Sequence, residues 1–170
     1  MKIPQLDPLV LVVLVGGLAY ASWSDMRTGR IPNTLTFPMM LLGVLVHLRT
    51  IDPWFGLLGL GVATLVHYPL WMLQVEKAGD AKLLMGVGAL LGWRELVEAS
   101  AWYAILYLPF GFLYLAAKGR LGNLLVVMKH LNDKANKRDV GPPPETTPLR
   151  TAPIIASATA IAALTGLIYP

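Results

Sequence analysis

The chain has 170 residues, of which 55% are hydrophobic and only 14% charged, with a mean hydropathy of +0.58. Soluble domains of this length carry charged residues at about a quarter of positions, so the composition excludes an ordinary soluble domain and reads as an integral membrane protein. The net charge of +4 calls for no nucleic acid, and the lack of cysteine excludes disulfides, thiolate zinc sites and a cysteine nucleophile.

Six continuous apolar runs follow one another: roughly 9–23, 34–48, 54–73, 81–97, 99–117 and 152–168. Each approaches the ~20 residues of a helical membrane span and none alternates as barrel strands do, so the fold class is all-α and polytopic, with about six transmembrane helices. Lys2, the apolar stretch from Leu9 to Leu18 and the small residues of Ala19-Tyr20-Ala21 together resemble a secretory signal. Asp7 weakens the charged region of such a signal, and a retained first span is expected. Gly29 and Pro32-Asn33 punctuate the turn after this span, and Asp52-Pro53 the next. In the fourth run Gly88 and Gly92 stand at a spacing that lets another helix approach.

After the fifth run, residues 118–150 form the one long connection, within a single domain spanning 1–170. Leu121, Leu124, Leu125, Met128 and Leu131 recur at helical spacing, which predicts an amphipathic helix on the cytoplasmic interface. The stretch 132–148, with Pro142-Pro143-Pro144, is polar and expected to be mobile. Lysines and arginines set the orientation, because short cytoplasmic loops retain positive charge. With six spans, 11 cations fall on one side and only Lys2, Arg49 and Arg94 on the other. That places both termini outside and the loops after the first and third spans at the cytoplasmic face.

Those two loops carry Asp25 and Asp80. Ionisable residues at a membrane edge are functional candidates by default, and two carboxylates at one face form a pair that cannot ionise twice cheaply. One proton is shared, leaving a base to activate water and an acid to polarise a peptide carbonyl. Each aspartate also has a plainer reading, Asp80 as the N-cap of the fourth span and Asp25 as a solvated residue.

Asp25 followed by Ile31-Pro32-Asn33, with Gly79-Asp80-Ala81-Lys82 two spans later, resembles the type IV prepilin peptidase family and its preflagellin-peptidase relatives, which are membrane aspartyl peptidases of the G-x-G-D type. The resemblance implies that Asp25 and Asp80 are catalytic, that no metal or organic cofactor is needed, and that the partner is a prepilin-like or preflagellin-like precursor whose short basic leader is cut off. It also implies a short form, without the cysteine-containing N-terminal segment or its methyltransferase activity. Gly79, Lys82 and Asn33 are possible supports of the site, Lys82 also reading as a snorkelling cation and Asn33 as a helix cap. Where the family has its first glycine this chain has Lys77, which puts the loop geometry in question.

His47 and His67 stand alone on apolar runs with no H-E-x-x-H spacing, and the serines lack a G-x-S-x-G context, so metalloprotease and serine hydrolase readings are poor. Two rivals stay open. A transporter or proton channel would also pair acids within a bundle, and a non-catalytic pilus assembly factor would bind pilin without cutting it. Lipid contact is expected on the outer surface, and the oligomeric state is not legible.

Overall fold

The computed structural model describes residues 7–49, 54–73, 75–117, 119 and 149–165. Within them the chain forms six helices: α1 (Pro8–Thr28), α2 (Asn33–His47), α3 (Trp54–Met72), α4 (Ala78–Leu91), α5 (Trp93–Ala117) and α6 (Ala152–Thr165). No strand occurs among the described residues. Three of the helices, α1, α3 and α5, are long and apolar enough to cross a membrane, whereas α2 and α6 are shorter apolar helices. The amphipathic helix and proline-rich stretch expected within 120–148 lie outside the described residues.

The chain divides into two compact units, residues 1–106 with 150–170, and residues 107–149. In the first unit α4 is the central element. Ala81, Leu83, Leu84 and every residue from Gly86 to Leu91 are buried, and the helix packs against α2, α3, α1 and α6. The outward faces of the other helices are apolar, as at Leu65 and Leu73, both more than 70% exposed. A surface of that kind suits a lipid solvent, since soluble monomers do not leave large apolar areas open.

Without a hydrophobic drive to associate in lipid, membrane helices gain from close backbone approach. Here α3 and α4 meet through Gly59 and Gly88. A Cβ at Gly88 would lie 2.6 Å from the Gly59 carbonyl oxygen, and one at Gly59 would collide with the Gly88 carbonyl. Gly88 therefore serves the close packing that the sequence suggests, and Gly92 shares in it, since a Cβ there would run into the Phe55 ring of α3. Gly92 has φ 87° and ends α4, a left-handed conformation that costs glycine little. Helix α4 accordingly stops at Leu91 and α5 begins at Trp93, several residues earlier than the boundary expected at Glu98. That carboxylate is buried within α5 and accepts a hydrogen bond of 2.9 Å from Thr165 Oγ1 of α6.

A second polar cluster lies in the same unit. His67 of α3 is 2.9 Å from Glu76 Oε2 through Nδ1 and 3.1 Å from Ser100 Oγ through Nε2. The Ser100 hydroxyl itself donates to the Leu96 carbonyl, at 2.8 Å. The three side chains tie α3, the segment before α4, and α5 together. His47 is also engaged, with Nε2 2.9 Å from the Leu90 carbonyl oxygen and its ring edge-on to Phe55.

Candidate active site

Asp25 and Asp80 are both buried, each 2% exposed. Neither occupies a turn as the polarity around it suggested. Asp25 lies in the last turn of α1, where Gly29 closes the helix by donating its N–H to the Asp25 carbonyl at 2.9 Å. The Ser24 hydroxyl then donates to the Arg30 carbonyl at 2.9 Å, which pins the chain reversal leading to Ile31-Pro32-Asn33. Asp80 lies in the first turn of α4 and is not its cap. Lys77 holds the N-cap position with φ −77° and ψ 147°, an extended conformation open to any L-residue. The substitution of lysine for the family glycine therefore strains nothing.

The two motifs meet at Gly79. A side chain there would stand 3.2 Å from Ile31 Cβ, so the small residue lets the Ile-Pro-Asn turn lie against the start of α4. Asn33 does not cap α2, whose N-cap is Pro32 with no side-chain hydrogen bond. Its Oδ1 instead accepts from Lys82 Nζ at 3.0 Å. Lys82 Nζ also lies 5.5 Å above the Phe37 ring, so the cation joins the first turns of α2 and α4 at an exposed rim.

The residues that join the aspartates carry no motif and come from the start of α6. The Thr151 hydroxyl lies 2.7 Å from Oδ1 and 2.6 Å from Oδ2 of Asp80, and the next residue, Ala152, donates its N–H to Asp25 Oδ2 at 3.1 Å. Thr151 and Ala152 are themselves fully buried. A helix leaves its first N–H groups without internal partners and carries partial positive charge there, so the α6 terminus suits an acidic pair. Because consecutive residues touch the two carboxyls, Asp25 and Asp80 share one end of the bundle although their numbers differ by 55.

Asp80 precedes the apolar run of α4, a helix outside the three long apolar ones. Burial pushes its carboxyl up from 3.8 to about 6; the Thr151 hydroxyl and the Lys77 ammonium restrain the rise, while Glu76 and Asp25 add to it. Among the described residues no group of three or more histidine, aspartate or glutamate side chains is placed to hold a metal.

Two buried acids clamped within an apolar helical bundle define the class of site, and the comparison with known families agrees with it. The family model of the type IV leader peptidases matches residues 12–122, more than half of the sequence, and the chain belongs to that family. The match includes Asp25, Asn33, Gly79, Asp80 and Lys82 and stops short of Thr151. Prepilin peptidase EppA of Methanothermobacter thermautotrophicus is 38% identical over 100 residues. That similarity takes in 50% of this chain and 24% of the relative, so the chain is matched to about a quarter of that protein's length. No solved structure matches the chain.

Proposed function

We propose that the chain is a membrane aspartyl endopeptidase that removes the short basic leader of type IV prepilin-like or preflagellin-like precursors, with Asp25 and Asp80 as its catalytic pair. The observation that carries this reading is the pair of buried carboxyls, in the two family motifs, held by adjacent residues of one helix terminus. The chemistry needs no cofactor. Asp25, accepting a backbone N–H, acts as the ionised base and takes a proton from water while the water oxygen bonds to the scissile carbonyl carbon. Asp80 gives its proton to the carbonyl oxygen, forming a tetrahedral diol. On collapse, one diol hydroxyl returns its proton to Asp80, and Asp25 passes its proton to the leaving nitrogen. The C–N bond breaks to give acid and amine, and the pair regains its starting state.

The chain crosses the membrane about six times, with both termini outside and the aspartates at the cytoplasmic face. The clustering of 11 of its 14 lysines and arginines on that side supports this orientation. The precursor's hydrophobic helix lies in the bilayer and its leader reaches the pair from the cytoplasm.

The test is cleavage of a pilin precursor by the purified full chain in lipid, with the product mass read out. Wild-type protein should release the leader at a single bond, and Asp25→Asn and Asp80→Asn should each insert normally and release none. Cleavage by either variant removes that residue from the mechanism, and vesicle ion flux without proteolysis would favour a transporter.

A further inference from the structure

We propose that Thr151 is a positioning residue for the aspartate pair, its hydroxyl holding the Asp80 carboxyl in place and satisfying it in both protonated and ionised forms. The inference rests on the peptidase reading above and extends it to a residue beyond the family match, which ends at 122. Proton counting carries the argument. The Thr151 hydroxyl lies within 2.7 Å of both carboxyl oxygens of Asp80 but has one proton, so it makes only one full donation. When Asp80 is ionised, Thr151 donates to it. When Asp80 is protonated, the carboxyl can donate from one oxygen to Thr151 while accepting from Thr151 at the other. Such a partner follows the proton without moving.

Thr151 is free for this task because of its place in α6. Its carbonyl accepts the first helical bonds, from Ile154 and Ile155 at 3.0 Å each, as an N-cap carbonyl does. An N-cap threonine ordinarily turns its hydroxyl back onto the helix N–H groups, and this one is turned onto Asp80. The Ala152 N–H, left over at the helix start, reaches Asp25. One rigid terminus thereby fixes the spacing of both acids.

The charged groups acting on Asp80 are Lys77 and Glu76 from the segment entering α4, and Asp25 from α1. None of them supplies a hydroxyl that can both give and take a hydrogen bond. A bond to an ionised acceptor is about twice as strong as one between neutral groups, so Thr151 favours the ionised form of Asp80 and limits the rise that burial imposes. Its removal should leave Asp80 protonated to higher pH.

The experiment is the pH dependence of precursor cleavage by full-length protein in lipid, for wild type, T151V, T151A and T151S, with D25N and D80N alongside. Loss of the hydroxyl should lower kcat at least tenfold and move the alkaline limb of the profile upward by about one pH unit. Serine should restore both. A hydroxyl-free variant with an unmoved alkaline limb, or a serine variant no better than valine, overturns the inference. In parallel, the infrared carboxyl band that D80N abolishes is titrated in substrate-free wild type, T151V and T151A. An upward shift in the hydroxyl-free variants supports the inference, and an unmoved band overturns it. This band reports on Thr151 even if neither aspartate proves necessary for cleavage, a result that would defeat the peptidase reading alone.

Discussion

Replacing Asp80 with asparagine should inactivate the protein and yet stabilise it, by an amount set by pH. Asparagine has nearly the shape of the protonated carboxyl and can also give and take a hydrogen bond with Thr151. Because folding raises the Asp80 value from 3.8 to about 6, the favourable contribution of this group is complete below pH 3.8 and is lost as pH rises through 6. The difference corresponds to about 3 kcal/mol once the wild-type carboxyl is ionised. The variant has no such loss. Wild type and Asp80→Asn should therefore unfold at similar temperatures at pH 4, diverge between pH 4 and 6, and keep a nearly constant gap above that. For a chain of this size, 3 kcal/mol is worth roughly 6–12 °C. Thermal unfolding of the two proteins in the same micelle at pH 4, 6 and 8 makes the measurement. A variant less stable than wild type at pH 8, or a gap constant across the series, would refute the reasoning, because it would mean that ionisation of Asp80 carries no penalty in the fold.

Other substitutions probe the frame that holds the site. Gly59→Ala should cost at least the 1–3 kcal/mol typical of overpacking, because the added methyl meets the backbone of α4; a wild-type Tm would contradict the α3–α4 contact. His67→Ala leaves the Glu76 carboxylate buried without its partner, at a cost of about 3–5 kcal/mol. Adding Glu76→Gln should recover part of that loss, and strictly additive unfolding energies would argue against the pair. Asn33→Ala and Lys82→Met should each cost less than about 1 kcal/mol, since their bond is exposed, and the double variant should lose no more than the worse single one in a mutant cycle.

The six helices were legible because apolar runs of span length have few other fates, and the acid pair was legible because charge near a membrane stands out. Helix limits were less so. Arg27 and Thr28 looked like loop residues, but polar side chains at the end of a span do not stop a helix, and α1 continues to the left-handed Gly29. Glu98 looked like a boundary for the same reason, whereas the break is at Gly92, whose role depends on its φ and not on polarity. Asn33 has the chemistry of a cap, and its pairing with Lys82 depends on the approach of two helices whose contacting residues are 49 positions apart. Thr151 gave no sign at all. It follows a proline-rich stretch, belongs to no motif, and acquires its importance from where α6 begins. The polar triad of His67, Glu76 and Ser100 was similarly hidden, since each of its members looks unpartnered along the chain.

The clamp on the acids comes from a stretch of chain remote in sequence from both of them. Residues before position 151 supply both carboxyls and helices α1 to α5, but neither the hydroxyl nor the amide that hold the carboxyls in register. Loss of α6 alone would leave the two acids in place with nothing to set the distance between them.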